Sequence, residues 1–260
     1  MDSDAILRSV DVPSRHEAPD TRDLHTRTKQ AFRYRLIRDL KLAIVATRLR
    51  PPRKLGAFHQ LFQLQEFLHS SSLISSPRFP HRSQLYEYLQ SQVIGTAAID
   101  YLEFGVFRGA SIRQWLALNQ APESRFYGFD SFEGLPERWE GSYEKGYFST
   151  DGKMPDTDDR RVTFVKGLFQ DTLGQFLHDY KPRNRMVLHL DADLYTSTLY
   201  VLATLNQTIP SGTILIFDEF GNVNDEFRAC MDYMGSFRRK LTPIAWAEEF
   251  YGVVAFLFES

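Results

Sequence analysis

Two short apolar runs in this chain end in pairs of acids. Met186-Val187-Leu188-His189-Leu190 runs into Asp191-Ala192-Asp193, and Thr213-Ile214-Leu215-Ile216-Phe217 runs into Asp218-Glu219. Both runs are aliphatic or β-branched and bounded by turn residues, which reads as parallel strands buried on both faces. Four carboxylates then gather where strands end, and open α/β sheets place their ligands outside the carboxyl ends of parallel strands. Oxygens grouped this way suit a hard cation or an acid/base pair in a cleft. His189 lies two residues before Asp191 on the same side of its strand. It is a candidate base or substrate contact, or a histidine satisfied within the sheet.

A second chemical signal lies upstream. A strand over 98–104 leads into Glu103-Phe104-Gly105-Val106-Phe107-Arg108-Gly109-Ala110-Ser111. Glycine is needed where backbone turns tightly and approaches a ligand, and the first strand-to-helix turn is where nucleotide-like cofactors sit. The next strand ends in Tyr127-Gly128-Phe129-Asp130. Its carboxylate falls roughly twenty residues downstream, where a ribose diol would be held. The spacing E-x-G-x-x-x-G lacks the three glycines of the dinucleotide fingerprint and disfavours NAD. Glu103, just before the turn, is placed to meet an ammonium group directly or through water. S-adenosylmethionine carries both a ribose diol and an ammonium. The plainer alternative is that Asp130 only caps the next helix.

These residues need a scaffold, and the rest of the pattern supplies one. Strands at 98–104, 125–129, 161–166, 186–190 and 213–217 alternate with helices at 110–118, 173–178, 199–207 and 226–237. Two further strands, 244–248 and 252–257, close the chain as a hairpin. Regular βα alternation predicts an α/β fold with a doubly wound, mostly parallel, Rossmann-like sheet of seven strands and an antiparallel C-terminal hairpin. The loop from Trp139 to Asp159 is long, polar and aromatic, which suits a substrate lid. Tyr195 is a further lid or substrate-contact candidate, or an aromatic that simply packs behind the strand.

Ahead of this domain, 97–260, the sequence predicts a basic tail over 1–26 and a helical extension or cap over 27–96. Phe32, Leu36, Ile37, Leu40, Ile44 and Val45 recur at helical spacing until Pro51-Pro52, and Ser70 to Pro80 forms a second break. This basic helix packs on the catalytic domain or on a second subunit, so a homo-oligomer is expected.

At 260 residues, 43% hydrophobic and 25% charged, the chain can bury one good core. A net charge of −2 gives no pull toward nucleic acid, and no apolar stretch nears the roughly 20 residues that span a bilayer. The start Met1-Asp2-Ser3-Asp4 does not follow the plan of a secretory signal, and the single Cys230 cannot form an internal disulfide; a cytoplasmic location is expected. No histidine shows ligand spacing with cysteine, which argues against zinc.

Four motifs in order give a sharper reading. Leu102 to Gly109, Gly128-Phe129-Asp130-Ser131-Phe132-Glu133-Gly134-Leu135-Pro136, Gly167-Leu168-Phe169-Gln170-Asp171-Thr172-Leu173 and Leu190 to Thr198 together resemble the macrocin O-methyltransferase family over about 98–258. Those enzymes methylate hydroxyls of natural-product sugars with S-adenosylmethionine. The resemblance implies that Glu103, Gly105 and Gly109 form the cofactor turn, with Asp130 on the ribose and Ser131 and Phe132 beside it. Gln170 and Asp171 fall near the adenine, although Asp171 could equally cap a helix beginning at Thr172. Asp191, Asp218 and Glu219 match a family Mg²⁺ site, and Asp193 matches the general base. The family carries Asp-Asp where this chain has Asp218-Glu219, so the reach differs by one methylene.

The expectation is an S-adenosylmethionine-dependent, Mg²⁺-dependent O-methyltransferase acting on a hydroxyl of a small molecule, a natural-product sugar above all. Two other readings compete with it. One is a hydroxylase-like relative that uses another metal; the other is an inactive partner protein that retains the cofactor pocket.

Overall fold

The computed structural model describes residues 54–139 and 143–259, with side chains from residue 58. The expected tail over 1–26 and the helix before Pro51 lie outside the described residues. Helix α1 is Lys54–Ser70, strand β1 is Arg78–Phe79, and helix α2 is Arg82–Tyr88, prolonged by a wider turn through Leu89–Ile94. Then follow β2 (Ile99–Phe104), α3 (Ala110–Leu118), β3 (Arg125–Asp130), β4 (Val162–Lys166), α4 (Phe169–Asp179) and β5 (Arg185–Leu190). The chain continues through α5 (Tyr195–Leu205), β6 (Ile214–Asp218), α6 (Glu226–Phe237), β7 (Lys240–Ala247) and β8 (Val253–Glu259).

All eight strands form one sheet, in the order β1-β7-β8-β6-β5-β2-β3-β4. From β6 to β4 every neighbour is parallel, and β8 runs antiparallel to both β6 and β7. The chain leaves β2 toward β3 and β4, then returns to β5 on the other side. The carboxyl ends of β2 and β5 therefore flank a topological switch point, where such sheets bind ligands.

Every residue of β2 and β6 is buried, as expected of strands covered on both faces. Alternate side chains feed two cores. Leu102, Phe104, Leu188, Leu190 and Phe217 pack with residues of α1, α4, α5 and α6. Tyr101, Val187 and Ile216 pack on the other face with Leu85 and Tyr86 of α2 and Trp115 of α3. Helices α1 and α2 thus cover opposite faces, and both belong to the same compact unit as the sheet. Cys230 is buried in the first core, and burial pushes its thiol up, which leaves it a packing residue.

Three local departures from the expected pattern matter for the site. An eighth strand, β1, lies in the Ser/Pro-rich break and pairs in parallel with β7 at Trp246 and Ala247. Two residues carry no readable periodicity, so the pairing is set by the sheet edge. Helix α4 starts at Phe169, not near Leu173, because Gly167 turns the chain immediately after β4 with φ 143. Leu168 is its N-terminal boundary residue, so Asp171 lies inside the first turn and does not cap the helix. Helix α5 likewise begins at Tyr195, four residues before Leu199. Among the described residues, no helix is long and apolar enough to cross a membrane.

Candidate active site

A cavity of about 260 Å³ opens at the carboxyl ends of the central strands. Gly105, Asp130, Gly167, Asp191 and Asp218, each at or just past the end of a different strand, all line it. Gly105 is required by a close approach: its φ is 97, and a Cβ there would fall 1.7 Å from the Asp191 carbonyl oxygen. The Asp191 amide in turn donates to the Phe104 carbonyl at 2.9 Å. The cofactor-type turn and the first acid pair are therefore packed backbone to backbone.

Asp130 organises that turn. Its Oδ2 accepts from the amides of Val106 (2.9 Å) and Phe107 (2.7 Å), and its Oδ1 accepts from the amide of Phe132 (2.7 Å). A carboxylate that takes several backbone N–H groups fixes loop geometry as well as facing the cavity. Ser131, Gly167, Leu168, Phe169 and Gln170 share the cavity wall with it. Phe132 does not: its ring is fully buried and meets Phe164 edge-on. Asp171 is exposed outside the lining, and Gly109 packs under Pro155 of the long loop.

Glu103 is also turned inward. It is fully buried, with Oε2 accepting from the Tyr101 hydroxyl (2.6 Å) and Oε1 from Ser111 Oγ (2.7 Å). Beside it, in register across β2 and β5, His189 is fully buried. Its Nδ1 is 2.7 Å from the Tyr101 hydroxyl and its Nε2 is 3.4 Å from the Tyr86 hydroxyl. Neither residue lines the cavity, so both lie in the layer beneath it.

The four acids converge on one wall of the cavity. Asp193 and Glu219 both hold left-handed backbones, with φ 59 and 50, and their carboxyl groups are hydrogen-bonded to each other. Burial first, and the charges of neighbouring acids, push Glu219 up to about 8 and Asp193 up to about 6, the latter against a lowering hydrogen bond from Glu219. Asp191 is raised well above the ordinary carboxylate range by burial and by Asp218. Below the cluster, Glu226 is fully buried; its Oε1 accepts from the Ala192 amide (3.3 Å), and burial pushes its carboxyl well above the ordinary carboxylate range.

Asp218 is the deepest of the four, at 3% exposure. Its Oδ2 accepts from Arg82 at 2.5 Å, while its Oδ1 is buried without a hydrogen-bond partner. An orphaned carboxylate oxygen is costly unless something electropositive meets it. Among the described residues, one group has metal-ligand geometry: donor atoms of His189, Asp191 and Asp218 all lie within 4.8 Å of one another. That trio omits Glu219. The paired carboxylates of Asp191 and Asp218 suit a hard cation, and the tyrosine hydroxyls at both ring nitrogens compete for His189.

Other walls were not legible in advance. Arg82 lines the cavity from α2, although no sequence motif surrounds it. The long loop carries its own small core of Leu135, Trp139, Tyr143 and Phe148 against Leu194, and Phe148 faces the cavity. Trp139 Nε1 donates to Asp225 Oδ2 (2.9 Å), which anchors the loop at the start of α6. Tyr195 points away: its hydroxyl donates to Asp232 (2.8 Å), and Arg228 lies over its ring.

The fold is that of Rossmann-like methyltransferases. A calicheamicin methyltransferase, CalS11, superposes with a TM-score of 0.55 at 20% identity, over 97% of this chain and 100% of that one. Residues 69–248 match the family model for macrocin-O-methyltransferase (TylF), and the chain belongs to that family. It is 29% identical over 164 residues to a tetracenomycin-C rhamnosyl 4'-O-methyltransferase of Streptomyces olivaceus, a match covering 54% of this chain and 58% of that protein. It is 28% identical over 164 residues to the demethyldecarbamoylnovobiocin O-methyltransferase of Streptomyces niveus, covering 51% and 59% respectively. The matches thus span under two thirds of these relatives' length.

Proposed function

We propose that this chain is an S-adenosylmethionine-dependent O-methyltransferase whose acceptor is a hydroxyl on a natural-product sugar, with a divalent cation at the acid cluster. The observation that carries this reading is the single cavity that joins the Asp130 and Gly105 wall to Asp191, Asp193, Asp218 and Glu219. Family membership and the rhamnosyl substrate named for the Streptomyces olivaceus relative support a sugar acceptor.

S-adenosylmethionine, when bound, supplies a methyl group on a sulfonium already primed for in-line displacement. The protein must align the acceptor oxygen and remove its proton. Gly105 lets the turn pass close to β5, and Asp130 fixes that turn and offers the cavity a carboxylate for a ribose diol. A Mg²⁺ ion held by Asp191 and Asp218, with Glu219 at the rim, would polarise the acceptor hydroxyl. Asp193 is the proton acceptor in this reading: it borders the cavity, and Glu219 holds its carboxyl in place. Phe148 and Leu135 give the acceptor side an apolar wall suited to an aglycone.

The test is methyl transfer to a panel of deoxysugar-bearing natural products, followed by mass spectrometry, with Mg²⁺ and with chelator. A gain of one methyl that chelator suppresses is expected. Transfer indifferent to chelator removes the cation. Cofactor binding without transfer to any hydroxyl favours an inactive partner protein.

A further inference from the structure

Arg82 is the only cationic side chain lining the cavity among the described residues; the charged residues around it there are Asp130, Asp191, Asp193, Asp218 and Glu219. The chain places it by an unusual route. The short β1 pairs with β7, and the amides of Trp246 and Glu248 donate to the carbonyls of Pro77 (2.9 Å) and Phe79 (3.0 Å). Helix α2 begins at once, so its first residue, Arg82, is held beside the end of β6. One helical turn later, Tyr86 reaches His189 beneath the same cluster.

The guanidinium is divided between two acids. One nitrogen, Nη1, donates to Asp218 Oδ2 at 2.5 Å, while Nε and Nη2 fork onto Glu248 Oε1 (2.8 Å) and Oε2 (3.1 Å). Glu248 sits outside the cavity lining, on a left-handed backbone with φ 68 just past β7. Of the two oxygens on Asp218, one is therefore committed to Arg82 and the other is free and buried.

We propose that Arg82 is a built-in counter-ion that sets the divalent-cation affinity of this site, with Glu248 as the anchor onto which it withdraws. This rests on the cation reading of the acid cluster given above. A divalent ion on Asp218 Oδ1 meets a fixed positive charge on the same carboxylate, and like charges this close repel strongly away from bulk water. Binding must either bear that repulsion or transfer Arg82 fully to Glu248. Both routes make Arg82 a positioning residue that weakens the bound ion. They also tie cation loading to the placement of α2, and through it to Tyr86 and His189.

The test is Mn²⁺ binding to the full chain, read by electron paramagnetic resonance and repeated with Mg²⁺ by calorimetry, without cofactor or acceptor. Arg82→Gln should bind about tenfold more tightly than the parent, the worth of one charge-assisted hydrogen bond. Arg82→Lys keeps the charge and should stay near the parent. Glu248→Gln removes the anchor, leaves Arg82 to Asp218 alone, and should bind more weakly. A merely structural role for Arg82 would not give opposite signs at Arg82 and Glu248. If the parent binds Mn²⁺ and Arg82→Gln binds it equally or more weakly, the counter-ion role is overturned while the cation site stands. If Glu248→Gln binds more tightly than the parent, the anchor role is overturned. If neither the parent nor Arg82→Gln binds either ion, the cation site itself falls, and this role with it.

Discussion

Asp193 and Glu219 meet carboxyl to carboxyl, each on a left-handed backbone, and share a hydrogen bond. Non-glycine residues held at positive φ cost about 1–3 kcal/mol each and gather where a site over-determines them. Here the strained positions face one cavity from two neighbouring strands. The pairing also gives Glu219 a structural task beside Asp193.

The first prediction concerns the base. Asp193→Asn keeps the size and one acceptor of the side chain but cannot take a proton at neutral pH. Turnover should fall by about 10²- to 10⁴-fold, with thermal unfolding close to the parent. Loss within a few-fold would assign the proton to another group.

The acid pair also predicts how stability depends on pH. Asp193 and Glu219 are raised in the fold to about 6 and about 8, from ordinary values of 3.8 and 4.5. The folded protein then holds protons that the unfolded chain releases. The stability they contribute is full below their ordinary values and is lost as pH rises through about 6 and about 8. Without added divalent ion, the melting temperature should decline between about pH 4 and about pH 8 and level off above. Glu219→Gln should flatten the upper part of that decline.

Gly105→Ala tests the contact between the turn and β5. The added methyl would collide with the Asp191 carbonyl at a φ that L residues rarely adopt. Denaturant unfolding should show a loss of at least about 2 kcal/mol. A neutral substitution would mean that the turn does not pack on β5 as described.

Much of the fold was legible because central strands announce themselves. Buried parallel strands read as continuous apolar runs, and the helices α3 and α6 begin and end where the sequence places them. The four acids were legible for the same reason, since each lies within three residues of the end of such a run. Arg82 was not, because it reaches Asp218 across 136 residues by way of a two-residue strand with no pattern of its own. The direction of Glu103 was equally hidden. A strand-end acid reads as facing a ligand, but Tyr101 and Ser111 draw this one inward. Of the two readings open to Tyr195, substrate contact or packing, the early start of α5 gives packing, against Arg228 and Asp232.

The long loop gives a further prediction. Trp139→Phe keeps the ring but loses the hydrogen bond to Asp225, worth about 1 kcal/mol. The loop should be cleaved faster in limited proteolysis, with little change in global unfolding. Unchanged cleavage would show that the small core around Leu135 holds the loop without that anchor.

The most direct test of the account is calorimetric titration with S-adenosylhomocysteine of the parent, Asp130→Ala and Asp193→Asn. Asp130 both fixes the glycine turn and faces the cavity, whereas Asp193 belongs to the acid cluster. The account predicts one site per chain, binding weakened at least about tenfold by Asp130→Ala, and little change in Asp193→Asn. No binding to the parent, or binding indifferent to Asp130→Ala, would contradict it.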